Sequence, residues 1–189
     1  MSLTPSTATG VTAIPAGTYA IDPSHSEVSF VARHAMVTKV RGYFRDVSGE
    51  ITVGEDFATS SATAVMQTAS VDSGSADRDT HLKSADFFDV ENNPEITFAS
   101  TGLRKIEDDE FVLDGDLTIS GITKPVSLEV EYEGVAQDPW GNTRIGFSAK
   151  TSVERADWNL TWNVGLEAGG VLVSKKIQLV LDLSAVKQA

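Results

Sequence analysis

KPVSLEVEYEG, residues Lys124 to Gly134, alternates without interruption: Val126, Leu128, Val130 and Tyr132 occupy one parity, and Ser127, Glu129, Glu131 and Glu133 the other. Successive side chains of an extended chain point to opposite faces, so this segment is a strand with one apolar face and one face in water. The same period recurs in RIGFSAKTSV, where Ile145, Phe147, Ala149 and Val153 oppose Arg144, Ser148, Lys150 and Ser152. Near the C-terminus Ile177, Leu179, Leu181 and Leu183 oppose Lys176, Gln178 and Asp182, with Val180 the exception.

Turn signals separate these runs: EDDE at Glu107 to Glu110, SGITKP at Ser120 to Pro125, and DPWGN at Asp138 to Asn142, with Trp140 as a turn residue. About eight strands result, near residues 18–33, 37–53, 61–71, 95–106, 111–120, 124–135, 143–153 and 171–184. Strand and helix do not alternate, so the order favours an antiparallel meander over an α/β plan. Long strands of this kind make either two packed sheets or a closed barrel, and closure removes the exposed edges. The predicted fold is all-β, an eight-stranded antiparallel barrel with a short helical insert between strands three and four.

That insert is SADRDTHLKSADFFDV, Ser75 to Val90. Ser75 and Ser84 stand at N-cap positions with acids in the turn after each, which predicts two short capped helical turns. The candidate inward faces carry Phe30, Phe44, Phe98, Leu117, Ile119, Leu128, Phe147 and Leu179 among the small residues Ala32, Gly42, Gly115, Ala149 and Thr151. Small residues between large ones leave room for an apolar cavity in a barrel of this size. The two glycines alternatively relieve strand curvature.

Composition narrows the function. At 189 residues, one domain buries roughly 70% of its unfolded surface. The expected division is a flexible tail at 1–16 and a barrel at 17–189. There is no cysteine, which excludes thiol chemistry, and the formal net charge of −12 opposes long-range attraction to nucleic acid or to anionic bilayers. No window reaches the length of a membrane span, so stable membrane insertion is not expected. MSLTPSTATGVTAIPAG, at the start, has no lysine, arginine or continuous apolar run, and a cytoplasmic location is the expectation.

Catalytic patterns are weak. The three histidines, His25, His34 and His81, lack metal-ligand spacing. GFSAK lacks the second glycine of a nucleophile elbow, and there is no phosphate-binding glycine loop. One stretch stands out: Val28 to Arg45 contains no acid but holds Arg33, Lys39, Arg41 and Arg45. Arg33 and Lys39 near the first turn are candidates for meeting a headgroup. Arg41 and Arg45 oppose Phe44 and fall on the outer face. His34 shares the inward parity of Phe30, and Trp158 and Trp162 share a parity that suits a cavity wall or ordinary core.

Five ordered motifs add a resemblance: YAIDPSHSEVSFVARH (19–34), VRGYFRDVSGEI (40–51), DRDTHLKSADFFDVENNPEITFAS (77–100), GDLTISGITKPVSLEV (115–130) and RIGFSAKTSVERADWNL (144–160). Together they resemble the YceI-like family of bacterial polyisoprenoid-binding proteins over essentially Gly17 to Leu183. The resemblance implies a lipocalin-like, elongated barrel with an apolar channel holding a long isoprenoid or similar lipid. It implies that Phe87 and Phe88 pack against the barrel, and that Arg78, Asp79 and His81 bridge insert and strands by hydrogen bonds. The expected function is non-catalytic binding, carriage or sequestration of such a lipid or its quinone or phosphate derivative, with no cofactor. The expected ligand-binding residues are Phe30, His34, Val40, Phe44, Phe98, Leu117, Ile119, Leu128, Phe147, Trp158, Trp162 and Leu179. An enzyme acting on the bound lipid and a ligand-free scaffold for protein contacts are the alternatives, and outward Val31 leaves a homodimer open.

Overall fold

The computed structural model describes residues 9–189. Its strands are β1 (Gly17–Ile21), β2 (Glu27–His34), β3 (Thr38–Phe44), β4 (Val47–Val53), β5 (Ser61–Gln67), β6 (Val71–Asp72), β7 (Glu95–Glu107), β8 (Glu110–Ile119), β9 (Ile122–Gln137), β10 (Thr143–Glu154) and β11 (Lys176–Lys187). The helix α1 (Ala76–Lys83) lies between β6 and β7. Every pairing is antiparallel, and β11 closes the sheet by pairing with both β1 and β2. The segments β1–β2, β3–β4 and β5–β6 are each one long strand broken once, so eleven segments form the expected barrel of eight.

The breaks have local causes. Pro23 opens a 3-10 turn at Pro23–His25, capped by Asp22 accepting from the Ser24 amide. Proline has no N–H for the ladder, so the run expected over 18–33 is interrupted there. The run 37–53 bends at Arg45 and Asp46, whose backbone groups bond instead to Ser70 and Gln67. The run 61–71 is broken by a 3-10 turn at Thr68–Ser70. The three breaks lie side by side across neighbouring strands.

Two layers of core fill the barrel along its axis. One joins Tyr19, Ile51, Phe57, Phe111, Leu128, Val130, Ile145 and Phe147. The other joins Val28, Phe44, Met66, Phe88, Ile96, Leu117, Ile119 and Trp158. The Trp158 indole N–H donates to the Leu117 carbonyl at 3.0 Å, which satisfies its one polar atom in a buried site. Val31, expected to be an outward apolar residue, is itself buried.

Several boundaries differ from expectation. The tail expected over 1–16 lies outside the described residues for 1–8. From Gly10 the chain is packed: Gly10–Ala13 forms a 3-10 turn, the Val11 amide donates to Asp108, and Val11 and Ile14 join the first core layer. Two apolar side chains among Ser, Thr and Pro suffice to dock it. The last strand begins at Lys176 and not at 171, because the carbonyls of Ser174 and Lys175 turn toward Arg155. In the insert, Ser75 caps α1 by accepting from the Arg78 amide, but Ser84 ends α1 and heads only a hydrogen-bonded turn.

Candidate ligand cavity

The inward parities of the eight strands surround one continuous cavity of about 640 Å³. Its middle is walled by Leu128 of β9, Leu117 and Ile119 of β8, Phe98 of β7, Phe147 of β10 and Leu179 of β11. Above them Phe30, Phe44 and Phe88 form a trio with ring centres 5.5 to 6.4 Å apart. Toward the opposite end Phe57 stands edge-on to Phe111 at 5.2 Å.

The structure overturns the reading of Gly42 and Gly115 as open space. Gly42 lies opposite Phe30 in the β2–β3 register, and a Cβ there would collide with the Phe30 ring. A Cβ on Gly115 would collide with the Phe98 ring in the same way. The glycines therefore seat aromatic rings flat over the backbone, and the space they leave is already filled. Ala32 and Ala149 do line the cavity.

One end of the cavity is polar. All four charged residues that line it, Arg33, Asp77, Arg78 and Arg155, lie at the end that carries α1 and the β2–β3 turn. There His81 meets Trp162 at 4.5 Å and Phe87 at 5.0 Å, both edge to face. Val40 and His34 also line this end. Lys39 does not, although Arg33, its direct partner across the β2–β3 ladder, does. Of the residues expected at the site, Lys39 alone stands away from the cavity wall.

The insert holds to the barrel as the family resemblance implies through Phe87 and Phe88, and departs from it at His81. Asp79 accepts from the amide and hydroxyl of Ser73, Arg78 Nε donates to the Ser73 hydroxyl, and His81 Nε2 bonds Asp86 at 2.9 Å. The bonds of Asp79 and Arg78 reach Ser73, directly after β6, while that of His81 stays within the insert. Its attachment is apolar, through Phe88, Phe87, Leu82 and Val90 against the second core layer.

Arg155 was not anticipated, and nothing in its sequence neighbourhood signals burial. It is 6% exposed, and its guanidinium donates to the carbonyls of Leu160 at 2.6 Å, Ser174 at 2.9 Å and Val173 at 3.4 Å. Burial pulls its pKa below the usual guanidinium range. The side chain fastens the connection between β10 and β11, whose Trp162, Leu172 and Val173 form part of the cavity wall.

One cluster has the composition of a catalytic site without its geometry. Asp22, Ser24 and His25 have the composition of a hydrolytic triad, but the Ser24 hydroxyl and the Asp22 carboxylate both meet His25 Nδ1, at 3.0 and 2.8 Å. A relay needs the nucleophile and the acid on opposite ring nitrogens. The Ser24 hydroxyl, Arg144 and His25 hold the Asp22 carboxyl well below the usual carboxylate range. This cluster also lies outside the cavity wall. Among the described residues no three acidic or histidine side chains converge as a metal site, and no helix is long and apolar enough to cross a membrane.

Fold and cavity define a closed, eight-stranded antiparallel barrel built around an internal apolar chamber. Residues 19–185 match the YceI-like domain, and the chain belongs to that family. Protein YceI of Salmonella newport (strain SL254) is 36% identical over 176 residues, covering 92% of this chain and 88% of that protein. Among solved structures, Burkholderia cenocepacia BcnA is similar with a TM-score of 0.73 at 24% identity, over 87% of this chain and 98% of that one. The Campylobacter jejuni YCEI protein gives a TM-score of 0.70 at 29% identity, over 83% and 90%. A polyisoprenoid binding domain from Saccharophagus degradans gives 0.68 at 15% identity, over 92% and 100%.

Proposed function

We propose that the protein binds a long-chain isoprenoid, or its quinone or phosphate derivative, in the barrel cavity and carries or sequesters it without transforming it. The observation that carries this reading is the distribution of polarity: a continuous apolar lumen with its charged lining residues gathered at one end. A long hydrocarbon with one polar terminus matches that profile. Each methylene withdrawn from water contributes about 0.8 kcal/mol, so chain length governs affinity more than the headgroup does. The fold shared with a solved polyisoprenoid binding domain supports the same reading.

The test is mass spectrometry of an organic extract of the natively purified protein, followed by reloading of the stripped protein with long isoprenoids from detergent. The expected result is an intact chain recovered and taken up again. No lipid recovered and none taken up would overturn the proposal. The His81–Asp86 pair at the cavity end supports one competing reading, an enzyme acting on the bound lipid. A lipid returned chemically altered would favour it.

A further inference from the structure

We infer that the polar end of the barrel is a docking surface for an anionic lipid bilayer. The inference rests on the lipid-binding reading for its purpose, but its evidence is independent. Large apolar side chains exposed among the described residues are Met36 at 55%, Val37 at 75%, Val135 at 42%, Trp140 at 81% and Val164 at 47%. Three of the five belong to the rim of the cavity. Leu172 ties them together: its carbonyl accepts from the Ala35 amide at 2.8 Å, and its amide donates to Val164 at 2.9 Å. The Met36 side chain lies against Gly170. The β2–β3 turn and the loop before β11 thus form one apolar lip.

The turn itself is unusual. Ala35 and Met36 have φ of 50° and 66°, in the left-handed region that favours glycine or asparagine. No burial of Val37 offsets that conformation. A strained turn that presents two apolar side chains to solvent points to a contact made outside the folded chain.

Charge identifies the partner. Arg33, Lys39 and Arg41 flank the lip, and Ser174 bonds the Arg33 backbone, which brings Lys175 and Lys176 alongside. None of these five cations has an ion-pair partner among the described residues, in a chain of net charge −12. The acids at this end are Glu167 on the loop, Glu154 opposite Lys176, Asp157 in the turn with Arg155, and Asp77, Asp79 and Asp86 of the insert; the net charge of −12 opposes long-range attraction, so the contact depends on the local cations of the β2–β3 and β11 side. Apolar tips that enter the acyl boundary, ringed by cations that meet anionic headgroups, are the features of a peripheral membrane contact. This contact surrounds the end through which a lipid would pass.

The experiment is co-flotation of the full chain with phosphatidylcholine vesicles and with vesicles of equal parts phosphatidylcholine and phosphatidylglycerol, at low and high salt. Wild type should float with the anionic vesicles only, and less at high salt. M36D/V37D and K39E/K176E should each lose roughly tenfold in the bound-to-free ratio, about 1.4 kcal/mol. W140D, at the opposite end of the barrel, should bind as wild type. Circular dichroism confirms that each variant is folded. Wild type that floats with neither vesicle, or variants that float as well as wild type, would overturn the inference. So would capture only by vesicles bearing membrane proteins, which would make the lip a protein contact. Uptake of an isoprenoid from detergent, measured in parallel, separates this outcome from failure of the lipid reading: the lip variants should keep that uptake while transfer from anionic vesicles slows.

Discussion

The ring of Phe30 occupies the space that a side chain on Gly42 would need, across the β2–β3 register. Gly42→Ala should therefore push the ring into the lumen, costing about 1–3 kcal/mol of stability by overpacking and lowering the amount of lipid loaded. Thermal unfolding and loading stoichiometry measure the two effects. Phe30→Leu in the same chain should restore most of the stability. A Gly42→Ala protein as stable as wild type would show that the ring can swing clear at no cost.

His81→Ala should be mild. The imidazole bonds only Asp86, within the insert, and its side chain is 37% exposed, so no partner is left buried and unpaired. Loss of its edge contacts with Phe87 and Trp162 should cost about 0.5–1.5 kcal/mol, read by denaturant unfolding, with a change in tryptophan emission as Trp162 loses its neighbour. A larger loss would indicate a bond to the strands that the geometry does not contain.

Acid should attack the Arg144 cluster. Arg144 joins Asp22 at 2.7 Å and Asp138 at 2.9 Å, uniting the turn after β1 with the β9–β10 turn. Asn142, together with backbone donors and Arg144, brings the Asp138 carboxyl down to about 2, and Asp22 is also lowered. Carboxyls depressed in the folded state stabilise it above their unfolded pKa of about 3.9, and that contribution is lost as pH falls through the folded values. Arg144→Met should raise the pH midpoint of acid unfolding, followed by circular dichroism. An unchanged midpoint would mean that these contacts do not couple to folding.

Tyr132→Phe should be neutral or stabilising by up to about 1 kcal/mol, because the phenol is buried and its oxygen has no hydrogen-bond partner. Burial also raises the pKa of this group. Chemical unfolding decides it, and a clear loss of stability would reveal a partner for the hydroxyl.

The barrel was legible because its cause is local: alternation along β7 to β11 writes the inner face directly into the sequence, and Phe98, Leu117, Leu128 and Phe147 follow from parity alone. What escaped depended on contacts distant in sequence. Val11 reads as part of a polar tail until Asp108 receives its amide. Arg155 reads as a surface charge until three carbonyls converge on it. Gly42 and Gly115 read as vacant space because the rings that cover them sit on other strands. Lys39 pairs with Arg33 across the hairpin as its sequence position suggests, but its side chain stays off the cavity wall.

The barrel is jointed on one side and unbroken on the other. Breaks at Pro23–His25, at Arg45–Asp46 and at Thr68–Ser70 form a seam across three adjacent strands, while β7 to β11 are each a single segment, β7 starting at Glu95 level with the last break. Amide exchange should be fastest along that seam, because its hydrogen bonds lack neighbours on the ladder. Beyond the seam the wall is therefore stitched unevenly: β2 keeps a five-pair ladder to β11, whereas β6 is held to β3 by two pairs.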